Sequence, residues 1–492
     1  MQTGNIDKLL YPRSVAVVGA SASPDKFGHR VLFNIGNNGF EGKIYPVNPR
    51  EGSVLGWESF PSVADIPGEV DLAVITVPTA GVKQVIQDCI YKGIKAIIVI
   101  TSGFSEVGGQ GAVLESEIGG MARGAGLALA GPNCVGLVST HAKLYCHMMP
   151  FYPSRGPVAI VAQSGSVADM IASRLGDQGI GISHLISAGN EAVLRVGDYL
   201  DYLAVDDRVS VVLAYIEGIR DGRRFIRAAK KLTARKPLIV LKAGGTEAGA
   251  RAALSHTAAL AGDDQMINSL LRQSGAIRVD DLDAMVDTAA AFSGQPLPLG
   301  NRVGIIAPGG GWGVMVADAC ARRGLDVAPL DRVTLDRLDS MLPPMWSHGN
   351  PVDTVTGVRG GAVEMVQALL ESPAIDGLIV LGVVGGLQSI WKYIEVGSGG
   401  KIITDGLARG AVEQFDTYYR EMMKLKERFN KPVAVTFSLP IKTDMINGTA
   451  ARLTRETGTT CYTSFTQAVR AYSALNDYAE YLRQIDSGGR SI

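Results

Sequence analysis

Short runs of aliphatic and β-branched residues, such as Val15-Ala16-Val17-Val18, Ile97-Ile98-Val99 and Val303-Gly304-Ile305-Ile306, alternate with longer amphipathic segments from one end of the chain to the other. That rhythm constrains the fold more than any other feature. Parallel strands need a crossover of a dozen or more residues, and a helix is the usual way to supply it. The runs are apolar throughout rather than alternating, as expected of strands covered on both faces. At roughly 150 residues per domain, a chain of 492 residues has room for about three domains. Two turn-rich breaks, Pro150 to Pro157 and Ser293 to Gly300, divide it accordingly. The expected domains are 1–150, 151–295 and 296–492. Strands are expected at Ser14–Val18, Lys43–Val47, Asp71–Val77 and Lys95–Ile100 in the first block. The second has Val158–Ala162, Val209–Tyr215 and Pro237–Leu241, and the third Val303–Ala307, Gly377–Leu381 and Pro432–Phe437.

The charge balance excludes several classes of partner. A formal net charge of −1 with no lysine/arginine block lacks the footprint of a nucleic-acid binder. No apolar run approaches the ~20 residues that span a bilayer, and the N-terminus does not read as an export signal, so a cytoplasmic protein without a membrane partner is expected. The five cysteines contain no C-x-x-C pair and read as reduced thiols. Cys134 and Cys146 lie near His141 and His147 without zinc-ligand spacing, and no metal site is expected on this chain. His29, His184 and His348 read as structural.

Three strand-to-helix junctions are rich in small residues. The first, Gly19-Ala20-Ser21 leading to Lys26 and Gly28, lets backbone approach a phosphate at a helix N-terminus. It does not fit G-x-G-x-x-G, and the second strand ends in Asn48 where a dinucleotide enzyme offers an acid to the ribose, which argues against NAD. Lys26 and Arg50 could meet further phosphates or simply be solvated. The second junction, Ser164-Gly165-Ser166, reads as an oxyanion or phosphate cradle or as ordinary helix capping. The third is Gly309-Gly310-Gly311, where the backbone-entropy cost of consecutive glycines points to close approach of a ligand or another backbone, or to a tight turn.

Two further residues stand out. Glu217 follows the strand ending Ala214-Tyr215-Ile216, at the kind of carboxyl end where ligands of open α/β sheets collect. His256 sits among small residues after the glycine-containing stretch Ala243 to Ala250, a setting that suits a histidine reached by a bulky anion, or a surface loop hydrogen-bonded locally. A carboxylate such as Glu217 could hold a histidine N–H, fix its tautomer and stabilise the cation formed on phosphorylation.

In order along the chain, Val18-Gly19-Ala20-Ser21, Tyr45-Pro46-Val47-Asn48-Pro49, Ser102-Gly103-Phe104-Ser105-Glu106, Gly131-Pro132-Asn133-Cys134, Gln163-Ser164-Gly165, Tyr215-Ile216-Glu217-Gly218, Ser255-His256-Thr257 and Asn350-Pro351-Val352-Asp353 resemble the nucleoside-diphosphate-forming acyl-CoA synthetases. That group includes acetate–CoA ligase (ADP-forming) and the succinyl-CoA synthetase superfamily. The resemblance implies an α/β fold with a Rossmann-like CoA-binding domain followed by two flavodoxin-like, succinyl-CoA synthetase-like domains. It places Gly19, Ala20, Ser21, Lys26, Asn48, Val77, Pro78, Ile100, Thr101 and Ser102 around coenzyme A. His256 becomes the phosphohistidine with Glu217 as its partner. Ser164, Gly165 and Ser166, and Gly309, Gly310 and Gly311, become paired phosphate sites, with Asn133 and Asp169 at the substrate pocket.

The implied reaction joins a small carboxylic acid to CoA with ATP, through phosphohistidine and acyl phosphate. No segment resembles an ATP-grasp fold, so ATP/ADP and Mg²⁺ are expected largely on a separate β-type subunit, in a hetero-oligomer that also has contacts between α-type chains. Two residues depart from the pattern. Ala258 stands where relatives often have glycine, and Asp169 where they tend to have a small residue or tyrosine, which leaves the identity of the acid open. The alternative class is a non-catalytic CoA-binding sensor or scaffold subunit.

Overall fold

The computed structural model describes residues 2–249, 251, 264–354, 361–382, 405–436 and 443–488. It divides into two compact units, one of residues 1–176 and 181–285, the other of residues 177–180 and 286–492.

The first unit holds two large sheets and a small antiparallel pair, Ser53–Val54 with Trp57–Glu58. Five parallel strands, β1 (Ser14–Val18), β2 (Lys43–Val47), β3 (Leu72–Ile75), β4 (Ala96–Val99) and β5 (Ala128–Ala130), form the first in the order β2-β1-β3-β4-β5. All but the edge strand β2 are buried along their length, as the unbroken apolar runs require. Helices Phe27–Asn37, Thr79–Lys92 and Gly109–Gly124 make the crossovers. The helix Thr79–Lys92 stops at Gly93, whose φ of +83° lets its N–H return to the carbonyls of Cys89 and Ile90.

The second sheet contains β6 (Gly136–Ser139), β7 (Leu144–His147), β8 (Arg155–Ala162), β9 (Ile182–Ser187), β10 (Val211–Ile216), β11 (Leu238–Lys242) and β12 (Ile277–Val279), in the order β12-β11-β10-β8-β9-β6-β7. The five from β8 to β12 are parallel. The hairpin β6–β7 joins them antiparallel, with Ser139 opposite His184. Although this hairpin precedes residue 150, it extends the second sheet. Val15, Val17, Val74 and Ile98 of the first sheet share one buried cluster with Ala159, Val161, Val212, Tyr199 and Leu200. Each large aliphatic side chain taken out of water contributes about 1.5–3 kcal/mol. The opposite face of the first sheet packs Ala16, Ile75 and Ile97 against Val82, Ile86 and Ile118 of its helices.

The second unit carries β13 (Val303–Ala307), β14 (Val352–Asp353), β15 (Gly377–Leu381), β16 (Val433–Thr436) and β17 (Cys461–Tyr462), all parallel in the order β14-β13-β15-β16-β17. Counting only parallel strands, the three large sheets of the described residues therefore have the doubly wound order 2-1-3-4-5. Each has a switch point beside its first strand, where the loops at the carboxyl edge diverge and leave a crevice. No described helix is long and apolar enough to cross a membrane.

Candidate functional site

The carboxyl edge of the first sheet gathers most of the residues expected around coenzyme A. Gly19 leaves β1 with φ +90°, and a β-carbon there would lie 2.8 Å from Thr76 Oγ1 and 3.0 Å from the Val77 nitrogen. At Gly28, in the first turn of helix Phe27–Asn37, a β-carbon would overlap the Gly19 carbonyl. Helix and turn are thus pressed together in a way only glycine permits. Asn48 shapes this turn. Its Nδ2 donates to the Ala20 carbonyl at 2.7 Å and to Glu51 Oε1 at 3.0 Å, while Glu51 Oε2 accepts the Ala22 N–H at 3.1 Å. Lys26, at the helix start, is exposed and lies 3.9 Å from Asp25.

The loops after β3 and β4 are tied to one another. Thr101 Oγ1 donates to the Val77 carbonyl at 2.7 Å, and Thr79 Oγ1 donates to the Ser102 carbonyl at 2.7 Å. Val77, Pro78, Ile100, Thr101 and Ser102 therefore come together beside Gly19, Ala20 and Ser21, as the switch-point rule requires.

A cleft of about 690 Å³ connects this edge with the carboxyl edge of the second sheet, lined by Phe27, Ile100 and Ser102 on one side, Gln163 to Ser166 and Glu217 to Arg220 on the other, with Asn133 between. Helix Gly165–Asp177 opens into it, so the unpaired N–H groups of its first turn face the crevice. Gly165 is fixed by packing, because a β-carbon there would overlap Val135 Cγ1. Ser164 Oγ and Ser166 Oγ are 3.2 Å apart.

Glu217 is held through its backbone. Gln163 Oε1 accepts the N–H of Glu217 at 2.6 Å and that of Gly218 at 3.1 Å. Gln163 Nε2 donates to the Gly218 carbonyl and to Glu191 Oε2, both at 2.9 Å. Glu191 is a feature that the sequence reading missed. It is 5% exposed with φ +57°, lines the cleft, and also accepts the Val196 N–H at 2.6 Å. Burial pushes its carboxyl up against the pull of the Val196 and Gln163 bonds and of Arg220 and Arg195. A sequence signal existed, since Glu191 follows Gly189-Asn190 just beyond the end of β9, the position type that marked Glu217.

Asn190 joins the two edges. Its Nδ2 donates to Glu106 Oε2 at 2.6 Å and Glu115 Oε2 at 2.8 Å, and its Oδ1 accepts from Asn133 Nδ2 at 3.2 Å. Glu106 in turn accepts the N–H groups of Gly103 at 2.5 Å and Phe104 at 3.1 Å. Burial works against its charge, but the bonds from Asn190, Gly103 and Phe104 hold this carboxyl below its ordinary range.

The remaining candidates fall elsewhere. His256 and Ala258 lie outside the described residues. Asp169 is not among the residues lining the cleft; its Oδ1 is 2.7 Å from Nε2 of the fully buried His147. Gly309, Gly310 and Gly311 belong to the second unit, where helix Gly310–Ala321 begins. Among the described residues a β-carbon at Gly309 or Gly311 would meet nothing within 4 Å; the tight position is Gly313 against Pro351. All five cysteines are buried thiols. Among the described residues no group of three His, Cys, Asp or Glu side chains is placed to hold a metal ion.

Comparison with known proteins gives this geometry a family. A model of a CoA binding domain matches residues 13–140, one of a succinyl-CoA ligase like flavodoxin domain matches 155–292, and one of a ligase-CoA domain matches 303–388. The chain is 44% identical over 380 residues to the acetate–CoA ligase (ADP-forming) II subunit alpha of Pyrococcus furiosus, covering 77% of this chain and 82% of that one. It is 39% identical over 345 residues to the acetate–CoA ligase (ADP-forming) of Methanocaldococcus jannaschii, covering 70% of this chain but only 48%, about half, of that protein. The dinucleotide-forming acetyl-coenzyme A synthetase 1 of Ca. Korarchaeum cryptofilum, solved with phosphate and ADP, superposes with a TM-score of 0.84 at 32% identity over 98% of both chains. The chain thus belongs to the family of ADP-forming acetate–CoA ligase alpha subunits in the succinyl-CoA synthetase superfamily, and is a ligase subunit of the ADP-forming acyl-CoA synthetase type.

Proposed function

We propose that this subunit forms an acyl-CoA from a small carboxylic acid, CoA and ATP by way of a phosphohistidine at His256. The observation that carries the reading is the single cleft in which Glu217, the N-terminal turn of helix Gly165–Asp177 and the CoA-side loops at Phe27, Ile100 and Ser102 all meet. In the first step a His256 ring nitrogen attacks the γ-phosphorus of ATP; the P–N bond forms, the bond to the β-phosphate oxygen breaks and ADP leaves. Glu217 orients the imidazole and stabilises its positive charge. The substrate carboxylate then takes the phosphoryl group, giving an acyl phosphate and free His256. Finally the CoA thiol gives up its proton and attacks the acyl carbon, and inorganic phosphate departs. The N–H groups around Gly165 and Ser166 complement the phosphate charge in this sequence.

The same reading assigns Asn133, but not Asp169, whose carboxylate is engaged with the buried His147, to the acid pocket, and gives Gly309, Gly310 and Gly311 a second phosphate. It places the reaction in the cytoplasm and divides the chain at 150 and 295. Nucleotide and Mg²⁺ belong to an ATP-grasp β-type partner, in keeping with the subunit organisation named for the Pyrococcus furiosus relative. The test is a screen of carboxylic acids for CoA-dependent ADP release by the chain together with such a partner. Release with at least one acid is expected. Tight CoA binding without ADP release for any acid would favour a sensor or scaffold subunit.

A further inference from the structure

Three cleft residues from three different strand ends form one hydrogen-bonded chain, and its direction is set at the far end. Both carboxylate oxygens of Glu191 accept, Oε1 from the Val196 N–H at 2.6 Å and Oε2 from Gln163 Nε2 at 2.9 Å. A group that only accepts dictates which end of the neighbouring amide faces it. The Gln163 NH₂ therefore turns toward Glu191 and the Gly218 carbonyl, both at 2.9 Å, and Oε1 toward the N–H groups of Glu217 and Gly218, at 2.6 and 3.1 Å, so that Glu191 and the Gly218 loop select the same orientation of the amide. Glu191 is joined to the backbone of Glu217 through Gln163. It is 5% exposed and adopts φ +57°, a conformation disfavoured for a glutamate, so the fold holds it there at a cost.

We infer that Glu191 is a positioning residue, which by fixing the amide orientation of Gln163 sets the backbone from which Glu217 meets the phosphorylated histidine. The inference rests on the phosphohistidine reading above. It assigns Gln163 a task beyond starting a helix, that of an adaptor whose two ends must not be exchanged. In Glu191→Gln the new amide can accept the Val196 N–H only by turning its own NH₂ toward that of Gln163. One of the two amides must then flip, and an N–H of Val196 or of Glu217 loses its acceptor.

The test compares four proteins, each mixed with an ATP-grasp partner and γ-labelled ATP: wild type, His256→Ala, Glu191→Gln, and the exchange variant Gln163→Glu/Glu191→Gln. In the exchange variant, a carboxylate at 163 again accepts the N–H of Glu217, and the amide at 191 donates to it while accepting from Val196. Only the Gly218 carbonyl is left mismatched. Glu191→Gln is expected to slow phosphorylation of the chain about tenfold, the scale of one buried hydrogen bond. CoA affinity, carried by the first sheet, should stay within about twofold, and the exchange should recover part of the rate, since contacting residues are not additive. Phosphorylation of Glu191→Gln at the wild-type rate would overturn the inference. If that variant does not fold, a folded exchange variant that labels supports the inference and one that does not label overturns it. Absence of label on the wild type, or its persistence in His256→Ala, would instead overturn the phosphohistidine reading on which this one stands.

Discussion

Gln163 Oε1 accepts the backbone N–H of Glu217 at 2.6 Å, so the residue just after β8 fixes the loop that follows β10. The two strands are neighbours in the sheet, with Ala162 opposite Tyr215, and the crevice opens where their loops part. One side chain at the switch point thus sets the backbone of Glu217 at the cleft and leads directly into helix Gly165–Asp177. The arrangement makes the placement of Glu217 a property of the sheet.

Gly165 tests that rigidity. Gly165→Ala drives a β-carbon into Val135 and should lower stability by about 1–3 kcal/mol, the usual cost of overpacking. Val135→Ala in the same chain should return much of the loss. Urea-unfolding midpoints of the two single variants and the double check this, and a double variant no more stable than Gly165→Ala would refute the packing account.

Asn190 links the CoA-side loop to the second sheet through two carboxylates. Asn190→Ala removes the donor shared by Glu106 and Glu115, leaves like charges facing each other, and frees the loop after β4 that carries Ser102. CoA affinity measured by calorimetry should fall about tenfold, corresponding to roughly 1.4 kcal/mol. Unchanged affinity would show that the loop is held without this bridge.

Asp206 provides a pH-dependent test. Its side chain is 3% exposed, receives the Tyr11 hydroxyl at 3.2 Å and the Arg208 N–H at 3.0 Å, and lies 3.1 Å from His184 Nε2. Burial opposes the charge, but His184 and Arg208 hold the carboxyl far below its ordinary value of 3.8. The unfolded chain therefore takes up this proton first as pH falls. The stability Asp206 supplies is complete above the unfolded value and is lost as pH drops through the lower folded one. Asp206→Ala should cost about 3 kcal/mol at neutral pH, with the gap to wild type narrowing below about pH 4. Urea titrations across that range measure the gap, and a constant difference would contradict the assignment.

What was legible in the sequence follows from periodicity, and what was not follows from pairing. The parallel strands were readable because both their faces are buried and their apolar runs are unbroken, as in Ala16 to Val18 and Val211 to Leu213. The glycine turns at Gly19 and Gly165 were readable as strand-to-helix junctions. The hairpin β6–β7 was not, because its place is decided by β9, more than thirty residues away, and its own strands are short. The common strand order of the three sheets left no sequence repeat, since topology can recur on unrelated side chains. Asn48 was readable as a residue that disfavours NAD, whereas its bond to the Ala20 carbonyl exists only in three dimensions. Glu191 carried a positional signal after β9, but its bond to Gln163, 28 residues away, exists only in three dimensions, and its left-handed conformation is unusual for its residue type.

The phosphohistidine proposal is tested most directly by transfer of radioactive phosphate from γ-labelled ATP to this chain when it is mixed with an ATP-grasp β-type subunit. An acid-labile label is expected on the wild-type chain and none on His256→Ala. Label that persists in His256→Ala, or ADP formation with acid and CoA while the chain never becomes labelled, would contradict it.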